Sequence, residues 1–409
     1  MLKSIRSIVA VFLLFPALLT APAFSAAPAS STAPASQNPN DAPPSVVCPY
    51  AAQPAGNRVD VRDFGAAGNG LADDTGAIHR AIAAAGDGGT VYFPAGSYRH
   101  DDVIIVGKRN MVLTGADATL LAATPERSAI MLSGDGSTVE RLAITSIDPG
   151  PRGKSDEESG LVVSGKGNTV VGIALSKSKS AGILLAGARD ATIACNRVWD
   201  TMSDGIHSTD GTARSLVAHN FVRNSGDDGI AVVSYRGRGA VSGMRIEDNR
   251  VEHVRWGRGI SVIGSTQTQI QRNHISGIAM AAGIIVAREG SYDTPGASDV
   301  LIEGNTVEDI QQSVEPLPGR TRTGHASIEL NSDSGDRALG VERVRVINNA
   351  ILGSAYDGIR LLGNVADVSI ASNSIQQVAG APIRVETGNA ASVVQCQGNT
   401  SGARAIACP

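Results

Sequence analysis

The sequence predicts an all-β fold: a single-stranded right-handed parallel β-helix, a solenoid with an N-terminal capping helix. Three observations carry that expectation. A small residue followed by an aliphatic one recurs as "SGLVV" (159–163), "AGILL" (181–185), "DGIHS" (204–208), "DGIAV" (228–232), "RGISV" (258–262), "AGIIV" (282–286), "ASIEL" (326–330), "DGIRL" (357–361) and "APIRV" (381–385). A later strand in each repeat ends in asparagine, at Asn196, Asn220, Asn249, Asn273, Asn305, Asn349 and Asn373. Most of these spacings are about 24 residues, enough for one coil of two or three short β-branched strands. Aromatic residues make up 3% of the chain, which argues against a β-propeller, whose ~40–45-residue units carry periodic aromatics.

Taken in order, residues 1–25 read as a secretory signal peptide. Lys3 and Arg6 precede the apolar run "IVAVFLLFPALL" and the small-residue site "APAFSA", and that run is too short to span a bilayer. A secreted or periplasmic protein without membrane insertion is expected. Residues 26–57, rich in Ala, Pro and Ser, lack periodicity and read as a flexible linker. The β-helix domain is assigned to residues 58–409. Within it "ADDTGAIHRAIAAAG" (72–86) places Asp73 and Asp74 at a helix N-terminus and Ile78, Ala81, Ile82 and Ala85 on one face, as a helix covering the first coil requires. The longer gaps between ladder asparagines mark loop insertions.

Charge narrows the partners. Loss of Lys3 and Arg6 with the signal peptide takes the 35 basic side chains to 33 against 39 acidic ones, a net charge of about −6 that disfavours nucleic acid. Cys396 and Cys408 are close enough in sequence to staple the C-terminus, and Cys195 reads as a buried free thiol. The absence of CxxC pairs argues against structural zinc. No metal or other cofactor is expected, and the chain is expected to be a monomer.

Stacking turns the repeats into columns. With Ile183, Ile206, Ile230, Ile260 and Ile284 in one interior column, period-2 alternation sends His207 and Ser261 outward. The residue before each glycine then forms a second column that runs Ser159, Ala181, Asp204, Asp228, Arg258, Ala282. Coils are roughly 4.8 Å apart, so Asp204, Asp228 and Arg258 align, with Asp227 beside Asp228 and His207 beside Asp204. Neighbouring carboxylates at that separation cannot all ionise freely, which raises the pKa of one. An acid beside a base is what glycosidic hydrolysis needs. Asp357, in the same column and far from any partner, reads as an ordinary turn residue. Arg236, Arg238, Arg320 and Arg322 supply cations on nearby loops, and Tyr235, Trp256 and Tyr292 supply rings for stacking on sugars.

The segment 59–99 resembles the N-terminal part of the pectate-lyase-like superfamily of β-helix proteins. "SDGIHS", "GDDGIAV" and "GRGISVIGS" resemble the polygalacturonase and rhamnogalacturonase family of glycoside hydrolases, whose blocks read Asn-Thr-Asp-Gly, Gly-Asp-Asp, Gly-His-Gly and Arg-Ile-Lys. The resemblance implies catalytic carboxylates at Asp204, Asp227 and Asp228; His207, placed beside Asp204 by the stacking of the coils, is a further acid/base candidate. Ser203 replaces the family's Thr, Arg258 its His, and only Arg288 stands near the last block. Three functions follow as expectations. The first is hydrolysis of an acidic, uronate-containing polysaccharide. The second is β-elimination on the same substrate, with Ca²⁺ held by the aspartates and Arg258 taking the proton α to the uronate carboxylate, as in pectate lyases; in the first, Arg258 is a substrate clamp. The third is a β-helix that binds polysaccharide without cleaving it.

Overall fold

Short runs of aliphatic residues, many of them ended by a left-handed corner, wind the chain into coils. The computed structural model describes residues 48, 50, 56–387 and 393–407, and the segments read as signal peptide and most of the linker lie outside them. Among the described residues, sheets of 13, 14 and 11 strands stack the coils, parallel except where the last two strands of the 14-stranded sheet pair antiparallel. It is a right-handed parallel β-helix, and apart from its two ends strands three apart in sequence are hydrogen-bonded neighbours. The 11-stranded sheet contains the repeated small-aliphatic segments, including Ile183–Ala186, Ile206–Thr209, Ile230–Val233 and Ile260–Ile263.

Register follows the hydrophobic repeat. Ile183 pairs with Ile206, Ile206 with Ile230, Ile230 with Ile260 and Ile260 with Ile284, and all five are fully buried. A one-residue slip would turn the whole set outward. The asparagines form the expected ladder. Asn196 donates its backbone N–H and its amide to Oδ1 of Asn220, at 3.0 and 2.9 Å, and the pattern continues through Asn249, Asn273, Asn305, Asn349 and Asn373 to Asn399. Each buried amide is thereby satisfied, so none incurs the cost of an unpaired polar group. The residue before each of these asparagines makes the corner at positive φ, as at Cys195, His219, Asp248 and Arg272.

The helix Thr75–Ala85 buries Ile78, Ala81, Ile82 and Ala85 against the first coil. Asp74 is its N-cap residue but makes no capping bond; its carboxylate accepts the N–H groups of Ala67 and Gly68 instead. Asp73 takes the Thr75 N–H at 3.0 Å. Among the described residues no helix is long and apolar enough to cross a membrane.

Cys195 is not a free thiol. From its corner it forms a disulfide with Cys48, so the distal end of the presumed linker is fastened to the solenoid wall. A cysteine at a left-handed corner projects away from the aliphatic core, a placement the apolar context "ATIACNRV" did not reveal. Cys396 is disulfide-bonded, while Cys408 lies outside the described residues.

Candidate active site

The turns before the 11-stranded sheet set the site, because each turn carboxylate is gripped by the coil above it. Oδ1 of Asp204 accepts the Asp228 N–H at 2.9 Å, and Oδ1 of Asp228 accepts the Arg258 N–H at 2.7 Å. The second oxygens meet outward-facing side chains. Oδ2 of Asp204 lies 2.6 Å from Nδ1 of His207, and Oδ2 of Asp228 accepts the Ser261 hydroxyl. Both aspartates are buried. Asp227, one residue earlier, is less enclosed and meets Arg152, whose Nη2 lies 2.6 Å from Oδ2. Gly257 makes room for the pair: a Cβ there would fall 2.4 Å from Oδ1 of Asp228 and 2.5 Å from Oδ1 of Asp227.

These surroundings push the proton affinities apart. Burial works to raise Asp204, but His207, Arg152 and the Asp228 N–H outweigh it and hold the carboxyl below its ordinary range. Burial likewise opposes charge on His207, yet Asp204, Asp228 and Asp227 raise it, favouring the imidazolium. Asp227 goes the other way. Burial, then the charges of Asp204 and Asp228, push it up to about 7 against the pull of Arg152. Burial and the charges of Asp204, Glu289 and Tyr292 push Tyr235 up to about 12.

The three aspartates open into a cleft of about 500 Å³, whose lining includes His207, Arg238, Arg258, Tyr235 and Trp256. Arg258 bridges Asp228 and Glu289. Its burial opposes the charge, but those carboxylates raise its pKa, so it is a fixed cation and no base. Arg236 and Arg288 are not among the lining residues; they are drawn into ion pairs with Asp293 at 3.0 Å and Asp333 at 2.6 Å. Arg238 pairs with Asp210 at 2.6 Å.

Sequence reasoning missed Arg152, Lys154 and Glu289, which also line the cleft. Arg152 and Lys154 belong to a loop three coils before Asp228, outside the repeated columns, and only the three-dimensional winding brings them back. Asp357 also departs from expectation. It has a partner: Arg384 donates Nε to its Oδ2 at 2.7 Å and Nη2 to its Oδ1 at 3.1 Å. Its other anchor, the Ala381 N–H at 2.7 Å, repeats the arrangement at Asp204 and Asp228. Next to it, the fully buried Glu329 takes a two-pronged contact from Arg360. The column therefore continues as structural ion pairs beyond the cleft.

Oxygens of Asp204, Asp227 and Asp228 lie within 4.8 Å of one another, a spacing that would suit a cation. The surroundings do not fit Ca²⁺, which takes six to eight oxygens. Both oxygens of Asp204 and both of Asp228 already accept hydrogen bonds. Arg152, Arg258 and the charged form of His207 already balance the carboxylates.

Residues 58–291 match the family described as rhamnogalacturonase A/epimerase, pectate lyase-like, and residues 258–408 match the right-handed β-helix region. The chain is similar to mannuronan C5-epimerase AlgE3 of Azotobacter vinelandii, 27% identical over 268 residues. That stretch covers 61% of this chain and 13% of the relative, so the chain spans a small part of the longer protein. Among solved structures, it resembles the catalytic unit of a GH87 α-1,3-glucanase from Streptomyces thermodiastaticus, with a TM-score of 0.63 and 22% identity over 86% of this chain and 69% of that one. It also resembles the A-module of the A. vinelandii mannuronan C-5 epimerase AlgE6, with a TM-score of 0.60 and 19% identity over 84% of this chain and 98% of that one. At these identities the structural likeness is one of fold.

Proposed function

The chain belongs to the rhamnogalacturonase A/epimerase, pectate lyase-like family, and from that premise we propose that it is a carbohydrate-active enzyme cleaving an acidic polysaccharide by acid–base hydrolysis in the cleft. One observation carries the reading: Asp227, pushed up to about 7 by burial and the charges of Asp204 and Asp228, holds its proton beside two carboxylates. Two carboxyl groups whose environments push them apart are the equipment for a general acid and a base.

In this reading Asp227 gives its proton to the glycosidic oxygen as the C–O bond breaks. Asp228 takes a proton from the water that attacks the anomeric carbon. Asp204 fixes both partners, holding the Asp228 backbone with one oxygen and His207 with the other. His207 stands as a charged donor at the cleft wall. Lys154, which no described carboxylate neutralises, favours an acidic sugar. So does the sequence likeness to enzymes that act on mannuronan.

That likeness also supports a second reading, C5 epimerisation or β-elimination on a uronate chain, in which a carboxylate removes the proton beside the sugar carboxyl. Arg258 is unsuited to that task because its carboxylate partners stabilise its charge. One experiment separates the readings. Purified protein is incubated in D₂O with polygalacturonate, polymannuronate and α-1,3-glucan, and three signals are followed: new reducing ends, absorbance of unsaturated uronates, and deuterium at C5. Reducing ends alone support hydrolysis. Unsaturation or deuterium supports the second reading, and none of the three on any polymer sinks both.

A further inference from the structure

Three loops from different coils meet over one indole at the mouth of the cleft. The Arg152 guanidinium lies 4.9 Å and the Arg320 guanidinium 4.6 Å from the centre of the Trp256 ring. The two cations are held differently. Arg152 is tied to Asp227. Arg320 belongs to the turn "LPGR", which its backbone N–H closes onto Leu317, and its exposed side chain makes no ion pair with any described carboxylate. We propose that Trp256 and Arg320 together form a subsite for an acidic sugar ring, Arg320 resting on the indole until a sugar replaces it there and then binding the carboxylate of that sugar.

The exchange is physically reasonable. A guanidinium over a half-buried ring that solvent still reaches is a modest contact, whereas a guanidinium facing a carboxylate makes a charge-assisted, two-pronged hydrogen bond. The apolar face of a pyranose can occupy the indole surface that Arg320 leaves. A neutral sugar would displace Arg320 without offering it a carboxylate, so the subsite discriminates by charge. It also addresses a problem the cleft poses: a polyanion approaching three aspartates needs a cation not already neutralised by the protein. This inference rests on the reading of the chain as an enzyme of acidic polysaccharides and names where the acid group is recognised.

The chain has two tryptophans, Trp199 and Trp256, so the variant Trp199→Phe makes Trp256 the sole emitter. Its fluorescence is titrated with tetragalacturonate, tetramannuronate and neutral maltotetraose. A uronate tetramer should change the emission, and Arg320→Gln in the same background should weaken that binding about tenfold, the loss of one charge-assisted contact. Maltotetraose should bind more weakly and be indifferent to Arg320→Gln. Unchanged uronate affinity in Arg320→Gln, or emission unmoved by every ligand, overturns the subsite. Polymer turnover with Trp256 silent does so too, while leaving the acid–base reading standing. A Trp256 response without turnover supports the subsite and counts against that reading.

Discussion

Oδ2 of Asp204 lies 2.6 Å from Nδ1 of His207, and Oδ1 of the same carboxylate accepts the backbone N–H of Asp228. One side chain thus orients an imidazole and the turn that carries the neighbouring carboxylates. Its ionisation and the position of the site are coupled.

Asp204→Asn should therefore cost more than a lost charge. The Asn can keep one acceptor, but an amide NH₂ facing His207 no longer favours the imidazolium. Turnover should fall roughly 10²-fold or more, and the His207 pKa, followed by NMR, should drop. In the wild type the raised His207 contributes stability below its ordinary 6.5 that is lost as pH rises through its higher folded value. The lowered Asp204 contributes above 3.8 and loses that contribution as pH falls through its folded value. The stability difference between wild type and Asp204→Asn should be largest between these limits. A difference independent of pH would contradict the coupling.

Asp227 has the opposite sign. Its folded pKa of about 7 lies above the ordinary 3.8, so the folded state holds a proton that the unfolded state has released, and stability declines as pH rises across that interval. Wild-type kcat should fall above about pH 7, where the acid is lost. Asp227→Asn should abolish turnover and, in melting scans, gain relative to wild type between pH 4 and pH 8. A variant with wild-type turnover would remove Asp227 from the acid role.

The repeats made the solenoid, the interior isoleucine column and the asparagine ladder legible, because each is a local pattern copied from coil to coil. They also gave the Asp204, Asp228 and Arg258 column. What they could not give were partners outside the period. Arg152 and Glu289 arrive from inserted loops and Cys48 reaches Cys195 across 147 residues, whereas Arg384, the partner of Asp357, stands in the outward column of the repeats and was legible there. Arg236 and Arg288 lie outside the cleft lining for the converse reason: their sequence neighbourhood suggested the cleft, but nearby acids hold them in ion pairs.

The Cys48–Cys195 disulfide should matter to stability. A cross-link closing a loop of that length restricts the unfolded chain, an effect typically worth ~2–4 kcal/mol. The double variant Cys48→Ser/Cys195→Ser should unfold at lower urea concentration, with turnover retained under native conditions because neither residue lines the cleft. An unchanged urea midpoint would show that the bond fastens the N-terminal segment without stabilising the coils.

Chelation should leave turnover intact. The oxygens of Asp204 and Asp228 are committed to protein donors, and the cleft carries its own cations. Activity measured after dialysis against EDTA should equal that in added Ca²⁺. A loss restored by Ca²⁺ would favour metal-assisted elimination.

Asp228→Asn and Asp357→Asn form the sharpest contrast, because both residues occupy the same turn position and receive an N–H from the coil above. At Asp228 the remaining oxygen meets a hydroxyl, Ser261. A hydroxyl can accept as readily as it donates, so an Asn fits with its amide turned to Ser261 and the fold is kept. The capacity to take a proton is lost, at roughly 10²–10⁴ in rate, together with the charge facing Arg258, which keeps Glu289 as its partner. At Asp357 the partner is a guanidinium, which has donors alone. An Asn there would turn its NH₂ toward Arg384 and break the two-pronged contact, a loss of about 1–3 kcal/mol. Burial works to raise Asp357, but Arg384 and the Ala381 N–H hold it low. Its contribution is therefore present above pH 3.8 and lost as pH falls through its folded value. Asp228→Asn should lose turnover at a nearly unchanged melting temperature, and Asp357→Asn should melt earlier with turnover preserved. If Asp357→Asn melted like the wild type, the Arg384 contact would contribute nothing to the fold; if Asp228→Asn turned over normally, the base would have to be another group in the cleft.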